Sequence, residues 1–275
     1  MNSQKKIVFR WVKVLVLLYC VIGIAWYYGQ DRLLFHPEVV ERGVKYAFDQ
    51  PFKELNLPYD AATNLNVIQF RATERPADST AKGVVLYFHG NKAGIGRYAP
   101  AAVDFTKKGY EVWMLDYPGF GKSTGVLSEK KLYEYALVFY KLARSRWQPG
   151  QIILYGKSLG TGIAAQLASV RDCRRLILET PAYSLTSVAR RYLFLYPVGM
   201  MLHWHFPTNE FLPAVTAPIT IFQGDDDGTV PYSNASRLKP LLKSGDEFVT
   251  IPGGQHNDLR EKPIFQAKLD SVLSR

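Results

Sequence analysis

Cysteine is scarce in this chain of 275 residues, with only two present. Cys20 lies in an apolar N-terminal run and Cys173 stands alone in the rest, so no disulfide framework can be drawn and the fold must hold without staples. Long polar tracts and internal repeats are missing as well, which argues against extended disorder and repeat architectures. Dense basic clusters are few. Lys and Arg outnumber Asp and Glu by 34 to 24, but the excess is scattered apart from Arg171, Arg174, Arg175 and the pair Arg190-Arg191. Nucleic-acid binding needs a denser stripe, so no nucleic-acid partner is expected. These charges read as a solvated surface, with attraction to anionic lipid or substrate as the alternative. Histidine is sparse too, and the one close pair, His203-x-His205, lacks a convincing third ligand, so no metal or other cofactor is expected.

Acidic residues are absent before Asp31, whereas Lys5, Lys6, Arg10 and Lys13 precede it. Val14 to Gln30 carries no charge. At about 1.5 Å per residue this run nearly matches a hydrocarbon core of about 30 Å. Lys13 can snorkel at one end, and Trp26, Tyr27 and Tyr28 supply interfacial rings at the other. The charge bias places the N-terminus in the cytoplasm and the rest of the chain on the opposite side of a single-pass anchor over residues 1–30. A cleaved signal peptide is the competing reading, since Gly23-Ile24-Ala25 offers a small-x-small site, although bulky Trp26 would then begin the mature chain. Tyr19 before Cys20 speaks against a lipoprotein attachment.

What remains, residues 31–275, has enough apolar content for one large core. Val44–Phe48, Phe52–Leu57 and Asn66–Arg71 read as short strands opening the domain in antiparallel fashion. Beyond Lys82 come compact apolar runs at 84–88, 111–115, 152–155, 176–178 and 219–222, with a further strand at 247–251. Such runs suit strands buried on both faces of a parallel sheet. Between them lie helical patterns, such as Ser128 to Arg146, with Leu132, Tyr135, Ala136, Phe139, Tyr140 and Leu142 in helical register behind a Ser128 cap. The alternation predicts an α/β layer architecture with right-handed crossovers. Residues 181–213 break the rhythm. This stretch is rich in aromatics and methionine and reads as an insertion, either packed on the domain or capping an apolar substrate.

Gly156-Lys157-Ser158-Leu159-Gly160 follows one of these strands and precedes a small-residue helix at 160–168. A G-x-S-x-G string arises by chance in about one chain in ten of this length, so its weight comes from that setting, which is the one a nucleophile elbow requires. A serine nucleophile also needs a base, a group to orient the base, and donors for a developing oxyanion. The loop Gly224-Asp225-Asp226-Asp227-Gly228-Thr229-Val230-Pro231 offers the acid at the carboxyl end of a strand. Gly253-Gly254-Gln255-His256-Asn257-Asp258 offers the base. The order Ser, Asp, His is that of an α/β-hydrolase.

With those segments, the chain resembles the α/β-hydrolase superfamily, and specifically small single-pass membrane serine hydrolases with serine-aminopeptidase-like or lysophospholipase-like domains. Arg32-Leu33-Leu34-Phe35-His36-Pro37, Tyr87-Phe88-His89-Gly90-Asn91 and Leu115-Asp116-Tyr117-Pro118-Gly119-Phe120-Gly121-Lys122-Ser123 are similar to that group. The resemblance implies an α/β-hydrolase fold, with a mostly parallel sheet and helices on both faces. It also implies Ser158 as nucleophile, Asp227 as acid, His256 as base, the backbone amides of Asn91 and Leu159 as oxyanion donors, and esterase or thioesterase activity without a cofactor. Lys92 departs from the pattern, which has a small residue after the asparagine, and offers a contact for an anionic substrate group.

Alternatives remain at this stage. Asp225 and Asp226 are candidates for capping the acid loop, Glu179 follows another strand and competes as the acid, Asp116 reads as holding its glycine-rich loop, and His89 reads as a brace for the oxyanion loop. Three functional classes are open: an ester, thioester or lysolipid hydrolase acting on a small-molecule or lipid-like ester, an aminopeptidase or amidase, and a silent binding protein. An aminopeptidase needs a carboxylate for the free amine, and the insertion supplies only Glu210. No feature of the sequence bears on oligomeric state.

Overall fold

The computed structural model describes residues 3–73 and 80–274. Helix α1 (Ser3–Leu34) comes first and runs for 32 residues, about 48 Å at the α-helical rise. Its most apolar window has a mean hydropathy of 2.2 and is only 6% buried, so it is long and apolar enough to cross a membrane. The charge-free run at 14–30 is its central part, and the helix continues unbroken past Gly23-Ile24-Ala25.

A short strand β1 (His36–Pro37) leads to β2 (Phe52–Pro58), β3 (Asn64–Phe70), β4 (Gly83–Phe88) and β5 (Lys92–Ala93). Helices α2 (Ile95–Tyr98) and α3 (Val103–Thr106) precede β6 (Tyr110–Leu115). Then α4 (Glu129–Arg144), β7 (Ile152–Lys157), α5 (Gly160–Val170) and β8 (Arg175–Glu179) alternate. The insertion contains α6 (Leu185–Tyr192), α7 (Val198–Met201) and α8 (Thr208–Phe211). After it come β9 (Ile219–Gly224), α9 (Tyr232–Ala235), β10 (Glu247–Ile251) and α10 (Pro263–Ser274).

Eight strands form one sheet in the order β10-β9-β8-β7-β4-β6-β3-β2. The six from β10 to β6 are parallel, while β3 pairs antiparallel with both β6 and β2. The compact apolar runs are buried on both faces, as doubly covered parallel strands must be. In β4, Val84, Leu86 and Phe88 face a core layer shared with α4 and α5. Val85 and Tyr87 face the opposite layer, filled by Ile95, Phe105 and the α10 residues Phe265 and Leu269. The α/β layers expected from the pattern are present, in the α/β-hydrolase fold that the resemblance implies.

The Val44–Phe48 strand is a correction, because these residues are irregular backbone. Tyr46 stacks on Phe48, and Phe48 packs against Phe52 and Phe70. The aromatic pattern reflected side-chain burial, whereas the sheet edge is taken by β2 and leaves this segment unpaired. Ser128 does cap α4, its hydroxyl accepting from the Lys131 amide at 3.3 Å.

Candidate active site

The strand order reverses around β4 and β7, and such switch points open a crevice at the carboxyl ends of the strands. Ser158 stands at the tip of β7 with φ +52°, the strained conformation of a sharp strand-to-helix turn. Two glycines permit that turn. A Cβ on Gly156 would lie 2.5 Å from the Gly160 carbonyl oxygen, and one on Gly160 would lie 2.1 Å from that of Phe88.

The Ser158 Oγ is 2.8 Å from His256 Nε2, and His256 Nδ1 is 2.8 Å from Asp227 Oδ2. The loops after β9 and β10 approach closely enough for this because Gly224 has no side chain, and a Cβ there would meet the Gly254 oxygen at 2.0 Å. Asp227 Oδ1 accepts from the amides of Thr229 and Val230, each at 2.8 Å, and buried Gln223 donates to Oδ2 at 3.2 Å. Burial alone would raise the Asp227 carboxyl. The hydrogen bond and charge of His256 and the two amides outweigh it, and hold the group below the usual carboxylate range. Asp225 and Asp226 serve the loop instead, Asp225 accepting from the Gly253 amide at 2.7 Å and Asp226 facing the Gln255 amide group at 3.5 Å.

Glu179 is fully buried but turned to other partners. It accepts from the Tyr155 hydroxyl and from the Lys157 ammonium. Lys157 also donates to the His256 backbone carbonyl at 2.9 Å. The residue beside the nucleophile therefore ties β7 and β8 to the loop that carries the imidazole. Sequence reasoning missed this bridge and Gln223, and the only signal was a lysine at a position about to be buried.

Asn91 and Leu159 flank Ser158 in the same cavity. Among the described residues, neither backbone amide has an acceptor within the chain. The Asn91 side chain donates to the Leu34 carbonyl, and its own carbonyl accepts from His36 at 2.9 Å. Strand β1 then pairs with β5, so the end of α1 is bonded directly to the loop beside Ser158. His89, wholly buried, faces Asp116 at 3.3 Å and donates from Nδ1 to the Gly90 carbonyl at 2.7 Å, while Asp116 also accepts from the Ile95 amide. Both hold the loop. Lys92 is exposed and does not line the cavity.

The cavity at Ser158 measures about 350 Å³ and is walled by Leu34, Leu159, Leu185, Val188, Tyr192, Phe206 and Val230. Among the described residues its lining carries no charged side chain, and Glu210 is exposed elsewhere. The insertion closes over it, held by Glu129 at the first turn of α4, which accepts from the amides of His205 and Phe206. His205 lies 3.2 Å from the Thr186 hydroxyl, and His203 packs edge-on against Tyr27.

A family model described as "Serine aminopeptidase, S33" matches residues 79–212. The "Alpha/beta hydrolase domain-containing protein aho-3" of Caenorhabditis elegans is 30% identical over 195 residues, 69% of this chain and 57% of that protein. The "Alpha/beta hydrolase domain-containing protein 17C" of Homo sapiens is 26% identical over 201 residues, 71% of this chain and 59% of that protein. The chain thus spans less than two thirds of the length of these relatives. The Pyrococcus furiosus esterase Pf2001 superposes with a TM-score of 0.67 at 15% identity, over 88% of this chain and 97% of that one. Est1E of Butyrivibrio proteoclasticus, with ferulic acid bound, superposes with a TM-score of 0.64 at 18% identity, over 80% and 96%. At such identities the likeness is one of fold.

Proposed function

The chain belongs to the α/β-hydrolase superfamily, and on that premise we propose that it is a serine hydrolase cleaving an ester or thioester of a lipid-like or acyl substrate. The observation that carries this reading is the continuous contact from Asp227 through His256 to Ser158, opening into an apolar cavity. His256 takes the Ser158 proton as Oγ attacks the carbonyl carbon. Asp227 keeps the remaining imidazole proton on Nδ1 and stabilises the imidazolium. The unengaged amides of Asn91 and Leu159 receive the oxyanion. His256 then protonates the leaving group, and water resolves the acyl-enzyme by the same steps in reverse order.

An apolar lining favours an acyl group over the free amine of an aminopeptidase substrate, which would need a carboxylate nearby. We assign residues 1–30 to a cytoplasmic tail and retained membrane anchor, 31–275 to the hydrolase domain and 181–213 to its cap. Support for retention comes from Tyr19, which precedes the small-x-small site: its hydroxyl donates to the Leu195 carbonyl, its backbone carbonyl accepts from the Tyr196 hydroxyl at 2.9 Å, and its ring stacks on that of Tyr196. The basic N-terminus favours a domain on the non-cytoplasmic side.

Ser158→Ala tests the reading. Its turnover on p-nitrophenyl acyl esters is expected to fall on the order of 10⁶-fold, with loss of fluorophosphonate labelling. Undiminished labelling of the variant would sink the assignment of the nucleophile. Faster turnover of amino-acid anilides than of acyl esters by the wild type would select the aminopeptidase reading.

A further inference from the structure

We propose that the seam between α1 and the cap is a lateral entrance, through which the acyl chain of a bilayer-resident ester reaches Ser158 without leaving the membrane. The inference rests on the serine-hydrolase reading above and names the source of its substrate. A second cavity of about 420 Å³ lies between the last turns of α1 and the cap, with Trp26 and Leu33 on one wall and Leu193, Leu202 and Trp204 on the other. It shares Leu34, Leu185 and Tyr192 with the cavity at Ser158, so the two spaces meet across those side chains. The combined path is mostly apolar, with Gln30 in the outer cavity and Asn91, Thr161, Thr208 and Thr229 in the inner one.

Beyond the seam, residues 192–202 carry no ionisable acid or base other than tyrosine. Four of them project large apolar side chains outward: Phe194 is 76% exposed, Leu195 66%, Met200 87% and Tyr192 63%. Such a contiguous patch is what a soluble surface avoids. This tip lies along the apolar helix, where Tyr196 stacks on Tyr19 at 4.4 Å and the Tyr19 hydroxyl donates to the Leu195 carbonyl at 2.9 Å. Tyr19 precedes Gln30 by about 16 Å of helix, roughly half of a hydrocarbon core of about 30 Å. With the charge-free run of α1 in the bilayer, the exposed tip sits among acyl chains. Arg190 and Arg191, just before the tip, are exposed, and such cations suit lipid phosphates. The occupant that fits is a single acyl chain with its ester near the headgroup boundary.

The full-length protein reconstituted in phosphatidylcholine nanodiscs tests this, with a monoacylglycerol bearing a mid-chain diazirine as the ligand. Photolysis is expected to label peptides covering 26–34 and 185–204. Labelling confined to other segments, or none, overturns the entrance. Ala189 lines only the outer cavity, and Ala189→Trp narrows the path there. The ratio of kcat/KM for p-nitrophenyl palmitate to that for the acetate is expected to drop at least about tenfold, as when buried methylenes lose their site. An unchanged ratio in a variant that folds, shown by its thermal transition, overturns the proposal. Wild-type protein that takes no fluorophosphonate at Ser158 refutes the underlying hydrolase reading instead, so the two failures are distinct.

Discussion

Lys157 occupies the variable position between the glycine and the serine of the elbow, and its ammonium lies under the site, between Glu179 and the His256 carbonyl. A buried charge left alone costs about 3–5 kcal/mol, so Lys157→Met is expected to lower the thermal midpoint sharply by stranding the Glu179 carboxylate. Adding Glu179→Gln removes that charge, keeps an acceptor for Tyr155, and is expected to recover most of the stability. The tie to the His256 loop stays broken in the double variant, and a misplacement of about 1 Å costs on the order of 10²-fold in rate. A double variant with wild-type kcat would show that the tie does not position the imidazole. Ser158, Asp227 and His256 were legible because each sits in a glycine-marked turn after an apolar strand. The Lys157–Glu179 pair was not, since it depends on the register that sets Lys157 opposite Glu179 across β7 and β8.

At the level of elements, Glu129 does two kinds of work from the first turn of α4. A carboxylate there suits the helix dipole, and its oxygens also accept from the His205 and Phe206 amides and from the Tyr133 hydroxyl at 2.7 Å. Glu129→Ala leaves those donors without an acceptor, at about 1–3 kcal/mol for each one that stays buried. The expected outcome is a loosened cap, measured as faster limited proteolysis within 181–213 and a lower thermal midpoint; unchanged cleavage would contradict the role. The parallel strands and α4 could be read in advance because full burial on two faces and the helical period leave strong marks on sequence. Residues 44–48 misled because Tyr46 and Phe48 alternate as strand residues do while their backbone finds no neighbour to pair with.

For the molecule as a whole, the chain order of nucleophile, acid and base forecast the topology, since it requires the three loops at one end of a parallel sheet. The junction of α1 with that sheet was invisible in the sequence, because it depends on contacts between residues more than fifty positions apart, Leu34 with Asn91 and Gln30 with Met201 and His203. Removing residues 1–39 takes away α1 and β1 together and frees the Asn91 side chain. The truncated protein is expected to lose on the order of 10²-fold in kcat/KM even toward short water-soluble esters. Full retention of activity on p-nitrophenyl acetate would show that the oxyanion loop holds its shape alone.

That junction has no slack, for only Phe35 separates the last residue of the helix from β1, and its ring is packed against Phe120 and Trp204. On the proposed anchoring, a nucleophilic serine mounted on such a joint would keep a constant height over the lipid plane. It would meet its substrate by diffusion in two dimensions, and the abundance governing its rate would be a mole fraction in the leaflet. Diluting the membrane with inert lipid would then slow the reaction at constant total substrate, whereas diluting the surrounding water would leave it unchanged.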